Sequence, residues 1–369
     1  MNMASGKLLP ELFTRFLSVK ENKSRSLGKL KKILIIRQHN QLGDMLATVS
    51  FFRALKEKFP RAAITLIVSP ANYPAVTKNR LIDRVFVYNK KKLFNPLYFF
   101  SLLRLLRKQY DAVFVPVTVS ISFTSNLLAR ISKSRTRIGI GELNGVKNEY
   151  ASFFDRPVVM DWRIHPDQNV SDFCLEMLRP FGIFTNDYSS LISFDKTDHA
   201  AAARFIKEEI KPARQQRIIG LHIGAGKPPN RWPLDKYAEL IERLKSSFNP
   251  VFYLTGSTAD DNELEYLQQR LGRTRLPVFR DRSIPQVAAL IAVSDLFITN
   301  DTGIMHVAGA TSTPQVSIFG PTNPYNWAPV GEKKEFIWKS EIIGEIQVEE
   351  VYNACLRLAG DKLKMAGNA

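Results

Sequence analysis

Apolar runs with strand character alternate along the chain with stretches whose apolar residues recur at helical spacing. In the first half the runs are KILIIR (32–37), AITLIVS (63–69), RVFVYN (84–89) and DAVFVPV (111–117). Such alternation predicts the βαβ rhythm of a parallel, doubly wound sheet. A less regular stretch around 153–169 follows, then a predicted helix over 168–180 that ends near Pro180 and Gly182. Residues 185–198, TNDYSSLISFDKTD, read as a linker and a leading strand. The rhythm then restarts with RIIGLHIGA (217–225), PVFYLTG (250–256), LPVFRD (276–281), DLFITND (295–301) and PQVSIFG (314–320). Two α/β halves in succession predict two Rossmann-like domains facing across a cleft, over 1–185 and 196–345, with a terminal segment over 346–369. In open sheets of this kind ligands sit at the carboxyl ends of the strands.

Length agrees, since 369 residues exceed what one core normally supports. The 45% apolar and 24% charged residues are globular values, which speaks against disorder and against a polytopic membrane protein. No apolar run reaches the ~18 residues of a spanning helix, and the opening MNMASGKLLPELFTRF lacks the pattern of a signal peptide. A cytoplasmic location is expected. The two cysteines, Cys174 and Cys355, sit in apolar helical patterns and read as buried thiols of a reducing compartment.

Charge separates the halves. Residues 1–195 hold 30 lysines and arginines against 15 acidic residues, whereas 196–369 hold 22 against 20. The first half is therefore expected to meet an anionic surface or acceptor, with a generically basic surface as the plain alternative. Two segments carry apolar residues among cations. In the basic segment 1–30, Leu8, Leu9, Leu12, Phe13, Phe16 and Leu17 share a helical face, which suits an anionic membrane interface. The segment KKKLFNPLYFFSLLRLLRK (90–108) admits either a membrane contact or a core helix with a basic outer side.

Three loops carry chemistry. IIRQHNQLGDMLATVSFF (35–52) runs a strand through Gly43-Asp44 into a helix, at a place where phosphate usually binds. Asp44 is there either an N-cap or a reactive carboxylate, and His39 in the same loop is a candidate anion contact. In DLFITNDTGIMHVAGATSTPQVSIFGPTNP (295–324), Gly303 opens a helix whose N–H groups suit a diphosphate. Thr302 can add a donor, Asp301 suits the hydroxyls of an attached sugar or caps the helix, and His306 lies one turn in, as a ligand contact or a buried histidine. In HIGAGKPPNRWPLDKYAEL (222–240), Gly226 loosens the chain while Lys227 and Arg231 supply cations for a diphosphate without metal. No Asp-x-Asp occurs in the chain. A basic nucleic-acid or membrane binder without catalysis accounts for the first half and leaves this second half without a use.

These stretches resemble glycosyltransferase family 9. The residues that carry the likeness are KILIIRQHNQLGDML with RALKEKFP, YDAVF followed by RTRIGIG, GLHIGAG with RWPLDKYAEL, and DTGIMHVAGATSTPQVSIFGPTNP. The resemblance implies a GT-B fold and an inverting reaction that needs neither cofactor nor metal. It implies a nucleotide sugar, ADP-heptose, held by the second half at Asp301, Thr302, Gly303, His306, Lys227, Arg231, Gly226 and Gly256. It further implies an anionic glycolipid acceptor of lipopolysaccharide-core type at the first half, near His39, Gly43 and Arg137, with Asp44 as general base. The enzyme would then work peripherally on the inner face of the inner membrane, with no nucleic-acid partner, and its terminal helix would pack back toward the first domain. A nucleotide-sugar epimerase or hydrolase of the same fold is the nearest other reading. Two departures from the family stand out. Asn230 occupies the position two before the Trp-Pro pair where many members carry lysine, and Gly256 is followed by Ser257-Thr258-Ala259 before the acidic Asp260.

Overall fold

The computed structural model describes residues 16–38, 41–272, 274 and 276–364. The chain divides into two compact units between Tyr188 and Ser189, inside the predicted linker.

In the first unit β1 (Lys32–Arg37), β2 (Ala63–Val68), β3 (Arg84–Val87), β4 (Tyr110–Phe114) and β5 (Ser134–Leu143) form a parallel sheet in the order β3-β2-β1-β4-β5. β6 (Val146–Lys147) turns back antiparallel on β5, and β7 (Arg156–Met160) joins β5 in parallel. Ile33, Leu34, Ile35 and Ile36 of β1 are fully buried, as a central strand covered on both faces requires. The β5–β6 hairpin closes on Asn144-Gly145, both with positive φ (55° and 78°), the conformation this dipeptide adopts most readily. The helices that matter below are α1 (Leu42–Ala47), α2 (Val49–Lys58), α3 (Pro96–Leu106) and α4 (Phe123–Ile131).

The second unit repeats the plan with β8 (Ile218–His222), β9 (Val251–Gly256), β10 (Val278–Arg280), β11 (Leu296–Asn300), β12 (Gln315–Ile318) and β13 (Lys334–Ile337). All are parallel, in the order β10-β9-β8-β11-β12-β13. Its helices include α5 (Lys196–Phe205), α6 (Leu234–Phe248), α7 (Asp261–Arg270), α8 (Ile284–Ala292), α9 (Gly303–Gly309) and α10 (Val348–Lys364). Strand order reverses between β1 and β4 in one sheet and between β8 and β11 in the other. Those two points are where such sheets open a ligand crevice.

Two expected elements are absent. The helix expected over 168–180 is one α-helical turn, Val170–Phe173, followed by 3₁₀ turns at Cys174–Met177 and Arg179–Phe181. Pro180 has no N–H to continue a helix, and Arg179 binds the Asp172 and Glu176 carboxylates across the broken turns. No leading strand forms over 185–195; Asp195 instead caps α5 by accepting from Thr197 N at 2.9 Å and Asp198 N at 3.2 Å. The terminal helix α10 is built into the second unit. Tyr352 and Ser247 hydroxyls meet at 2.9 Å, and Arg243 of α6 lies 4.0 Å over the Tyr352 ring. Cys174 and Cys355 are buried free thiols, and burial pushes Cys174 up to about 11. Among the described residues no helix is long and apolar enough to cross a membrane.

Candidate active site

At the β1/β4 switch point the last residue of β1, Arg37, points its guanidinium into the loop after β4. Nη1 donates to Pro116 O at 2.9 Å and Nη2 to Thr118 Oγ1 at 3.0 Å. The same Nη2 lies 3.7 Å from Asp44 Oδ2, inside a site where the two side chains are 3% and 0% exposed. Asp44 stands in the first turn of α1, whose cap position is Gln41, so the carboxylate is not the N-cap. Its carbonyl accepts from Thr48 Oγ1 at 2.7 Å, which ties the turn to the start of α2. Gly43 is buried in the same turn. His39 lies outside the described residues.

Arg137 does not join this group. Its Nε donates to Ala129 O at 3.1 Å and Nη2 to Ser132 O at 2.8 Å, so the guanidinium covers the carboxyl end of α4. A cation there satisfies helix carbonyls and complements the helix dipole, which is a structural task.

At the β8/β11 switch point, Asn300 ends β11 fully buried and fastens the two loops together. Its Nδ2 donates to Ile223 O at 2.7 Å, and its Oδ1 accepts from Trp232 N at 3.2 Å and the Tyr237 hydroxyl at 2.9 Å. Next to it, Asp301 Oδ2 accepts from Asn230 Nδ2 at 2.8 Å. Burial pushes the Asp301 carboxyl up, while the Thr322 hydroxyl and the Lys227 ammonium pull it back. Lys227 itself is exposed. Asn230 thus touches the carboxylate through a neutral amide.

Thr302 holds the cap position of α9 in extended conformation without a side-chain capping bond, and Gly303 begins the helix. Asp301 is therefore not the cap either. His306 is buried on α9, and desolvation lowers it to about 4, so at neutral pH the ring is uncharged. Arg231 is engaged elsewhere: Nε donates to Ala225 O at 2.9 Å and Nη1 binds the Glu263 carboxylate. Of the two cations in this loop, Arg231 is held by these protein partners and Lys227 is exposed.

Beside these loops a cavity of about 330 Å³ opens at the carboxyl ends of β8, β9 and β10, a size typical of small-ligand sites. Gly226, Gly256 and Thr302 line it, together with His222, Asp260 and Arg282. A Cβ on Gly224 would overlap Asp260 Oδ1, so glycine admits that carboxylate. Asp260 Oδ2 accepts from Ser257 N at 2.8 Å and from its hydroxyl at 2.9 Å. His222 Nδ1 lies 3.0 Å from Thr255 O; burial lowers its pKa and Asp260 acts in the opposite direction. Arg37 and His222 escape a sequence reading because a charged or polar residue closing an apolar strand looks like its solvent-exposed end. The signal for Arg37 was its distance of one short loop from Asp44.

A match to the family described as Glycosyltransferase family 9 (heptosyltransferase) spans residues 99–352. The chain is 24% identical over 311 residues to a lipooligosaccharide heptosyltransferase 2 of Haemophilus influenzae, covering 80% of this chain and 85% of that one. It is 26% identical over 320 residues to lipopolysaccharide heptosyltransferase 3 of Escherichia coli, with 80% and 85% covered. Among solved structures, a family 9 glycosyltransferase from Veillonella parvula superposes with a TM-score of 0.75 at 21% identity, covering 92% of this chain and 100% of the other. An E. coli heptosyltransferase solved with ADP gives 0.69 at 18% identity, covering 89% and 100%. The chain belongs to glycosyltransferase family 9, the heptosyltransferase-like enzymes of GT-B fold.

Proposed function

We propose that this glycosyltransferase moves a heptose from ADP-heptose to an acceptor of lipopolysaccharide-core type, with inversion, at the inner face of the inner membrane. The observation that carries the reading is the cavity at the carboxyl ends of β8, β9 and β10, with Gly226, Gly256 and Thr302 in its wall and the Asp301 carboxylate in the adjoining loop. The cavity suits the nucleoside of ADP, the nucleotide solved in the E. coli relative. Thr302, Gly303 and Lys227 are assigned to the diphosphate, and Asp301 to sugar hydroxyls. Lys227 supplies the charge that a leaving diphosphate needs, so the scheme routes no step through a metal.

Asp44 is assigned the role of base. It takes the proton of the acceptor hydroxyl as that oxygen attacks the anomeric carbon; the carbon–oxygen bond to the diphosphate breaks and ADP leaves with the bonding pair. Arg37, 3.7 Å from Oδ2, holds the carboxylate in one direction, as a positioning residue.

The test is ADP release from ADP-heptose by purified protein, with and without a heptose-deficient lipopolysaccharide acceptor. Release that requires the acceptor and matches sugar incorporated supports transfer. Equal release without acceptor assigns the protein to hydrolysis instead.

A further inference from the structure

From Arg84 to Tyr110 the chain carries seven lysines and arginines and no carboxylate. The nearest acidic side chains along the chain are Asp83, which pairs with Lys56 at 2.8 Å, and Asp111, which pairs with Arg135. Within this stretch Phe94 is 96% exposed, Leu97 83% and Phe100 65%. α3 buries Leu102, Leu105 and Leu106 against the unit, so the helix has its core face already, and Phe94, Leu97 and Phe100 lie outside it. The core-helix reading of this stretch holds for the carboxyl half of α3, whereas the residues at its amino end form a bare apolar tip.

That tip is held in place. Asn89 accepts from Lys91 N at 3.0 Å and caps a 3₁₀ turn at Lys90–Lys92, and Asn95 accepts from Tyr98 N at 3.1 Å and caps α3. The Tyr98 hydroxyl donates to Val87 O at 2.9 Å, binding the helix start to the end of β3. Lys90, Lys91 and Lys92 are all exposed beside the tip. Because β1, β2 and β3 are parallel, the segment after β3 emerges at the same end of the sheet as Asp44 after β1.

We propose that Phe94, Leu97 and Phe100 form an insertion wedge that seats the first unit on an anionic phospholipid bilayer, with Lys90, Lys91 and Lys92 at the headgroup phosphates. A large exposed apolar tip next to three exposed lysines matches an interface that is apolar below and negative above. Placement at the Asp44 end brings the site to the surface that holds a glycolipid acceptor, so the inference rests on the acceptor reading given above.

The experiment is sedimentation of the full chain with vesicles of phosphatidylglycerol and phosphatidylethanolamine, and with phosphatidylcholine vesicles, at low salt. Phe94→Ser/Leu97→Ser/Phe100→Ser and Lys90→Gln/Lys91→Gln/Lys92→Gln are each expected to weaken binding to the anionic vesicles, the lysine set by about 100-fold at roughly tenfold or less per charge. Melting curves matched to wild type verify folding. Anionic-vesicle binding unchanged in the apolar variant overturns the wedge, and so does equal binding to phosphatidylcholine. Self-association in ultracentrifugation that the apolar variant abolishes makes the occupant a second copy, and binding of single-stranded RNA in preference to vesicles makes it a nucleic acid; either overturns the proposal. Transfer to a deacylated, soluble acceptor is measured in parallel and is expected to be equal in all three proteins. Wild type inactive in that assay counts against the acceptor reading, whereas the vesicle result still decides the wedge.

Discussion

Arg37 Nη2 and Asp44 Oδ2 meet at 3.7 Å with almost no exposure to water, at the point where the strand order of the first sheet reverses. The guanidinium fixes the direction of the carboxylate, and a carboxylate oxygen is a group in this loop that can take a proton. If Asp44 is the base, Asp44→Asn keeps the shape of the turn and removes the acceptor. Turnover is then expected to fall by about 10² to 10⁴ with donor affinity unchanged. Rates within a factor of two of wild type, at matched folding, would remove Asp44 from the mechanism.

The same pair makes a stability prediction. Removing one partner of a buried ion pair strands the other charge, at a cost of about 3–5 kcal/mol. Arg37→Met and Asp44→Leu should each lower the denaturant midpoint strongly. The double variant, with no charge left to strand, should recover much of the loss while remaining inactive. Additive losses in the cycle would mean that the two side chains are not energetically coupled.

The periodic parts of the fold were plain in the sequence. ILIIR within KILIIR and LFITN within DLFITND are buried throughout, and Gly43-Asp44 and Asn300-Asp301-Thr302-Gly303 close the two strands at the switch points. What was not legible depends on contacts distant in sequence. Lys334–Ile337 is a strand although its sequence, KEFI, is half charged, because the Lys334 ammonium turns inward to Ala308 O and Thr313 O at 2.9 and 2.6 Å. Arg231 was read as a cation for a diphosphate and Arg137 as an acceptor contact, and only the fold brings Glu263 to one and the end of α4 to the other. The Asn230 amide meets Asp301 across 71 residues of chain.

That contact predicts the behaviour of the donor site. Asp301→Ala removes the group that Asn230 and Thr322 hold in place, and calorimetry with ADP-heptose should show affinity lower by about tenfold or more, the scale of a lost charged hydrogen bond. Affinity for ADP alone should change less, since Asp301 is assigned to the sugar. Unchanged binding of both ligands would return Asp301 to a structural role.

The His306 ring supplies a dependence on pH. Its folded pKa is lowered to about 4 by burial, against 6.5 for the free side chain. A depressed pKa means that between these values the unfolded chain binds a proton and the folded chain does not. Stability from this group is therefore fully present above pH 6.5 and is lost as pH falls toward 4. Between pH 7 and pH 5 the loss is on the order of 2 kcal/mol. His222, lowered in the same direction by burial, adds to the trend. Urea unfolding at both pH values should thus show a lower midpoint at pH 5. His306→Gln, which cannot titrate, should narrow the difference even where it lowers stability at both. A difference of equal size in the variant would show that His306 is protonated alike in the folded and unfolded chains, and its burial would then have no part in the acid sensitivity of the second unit.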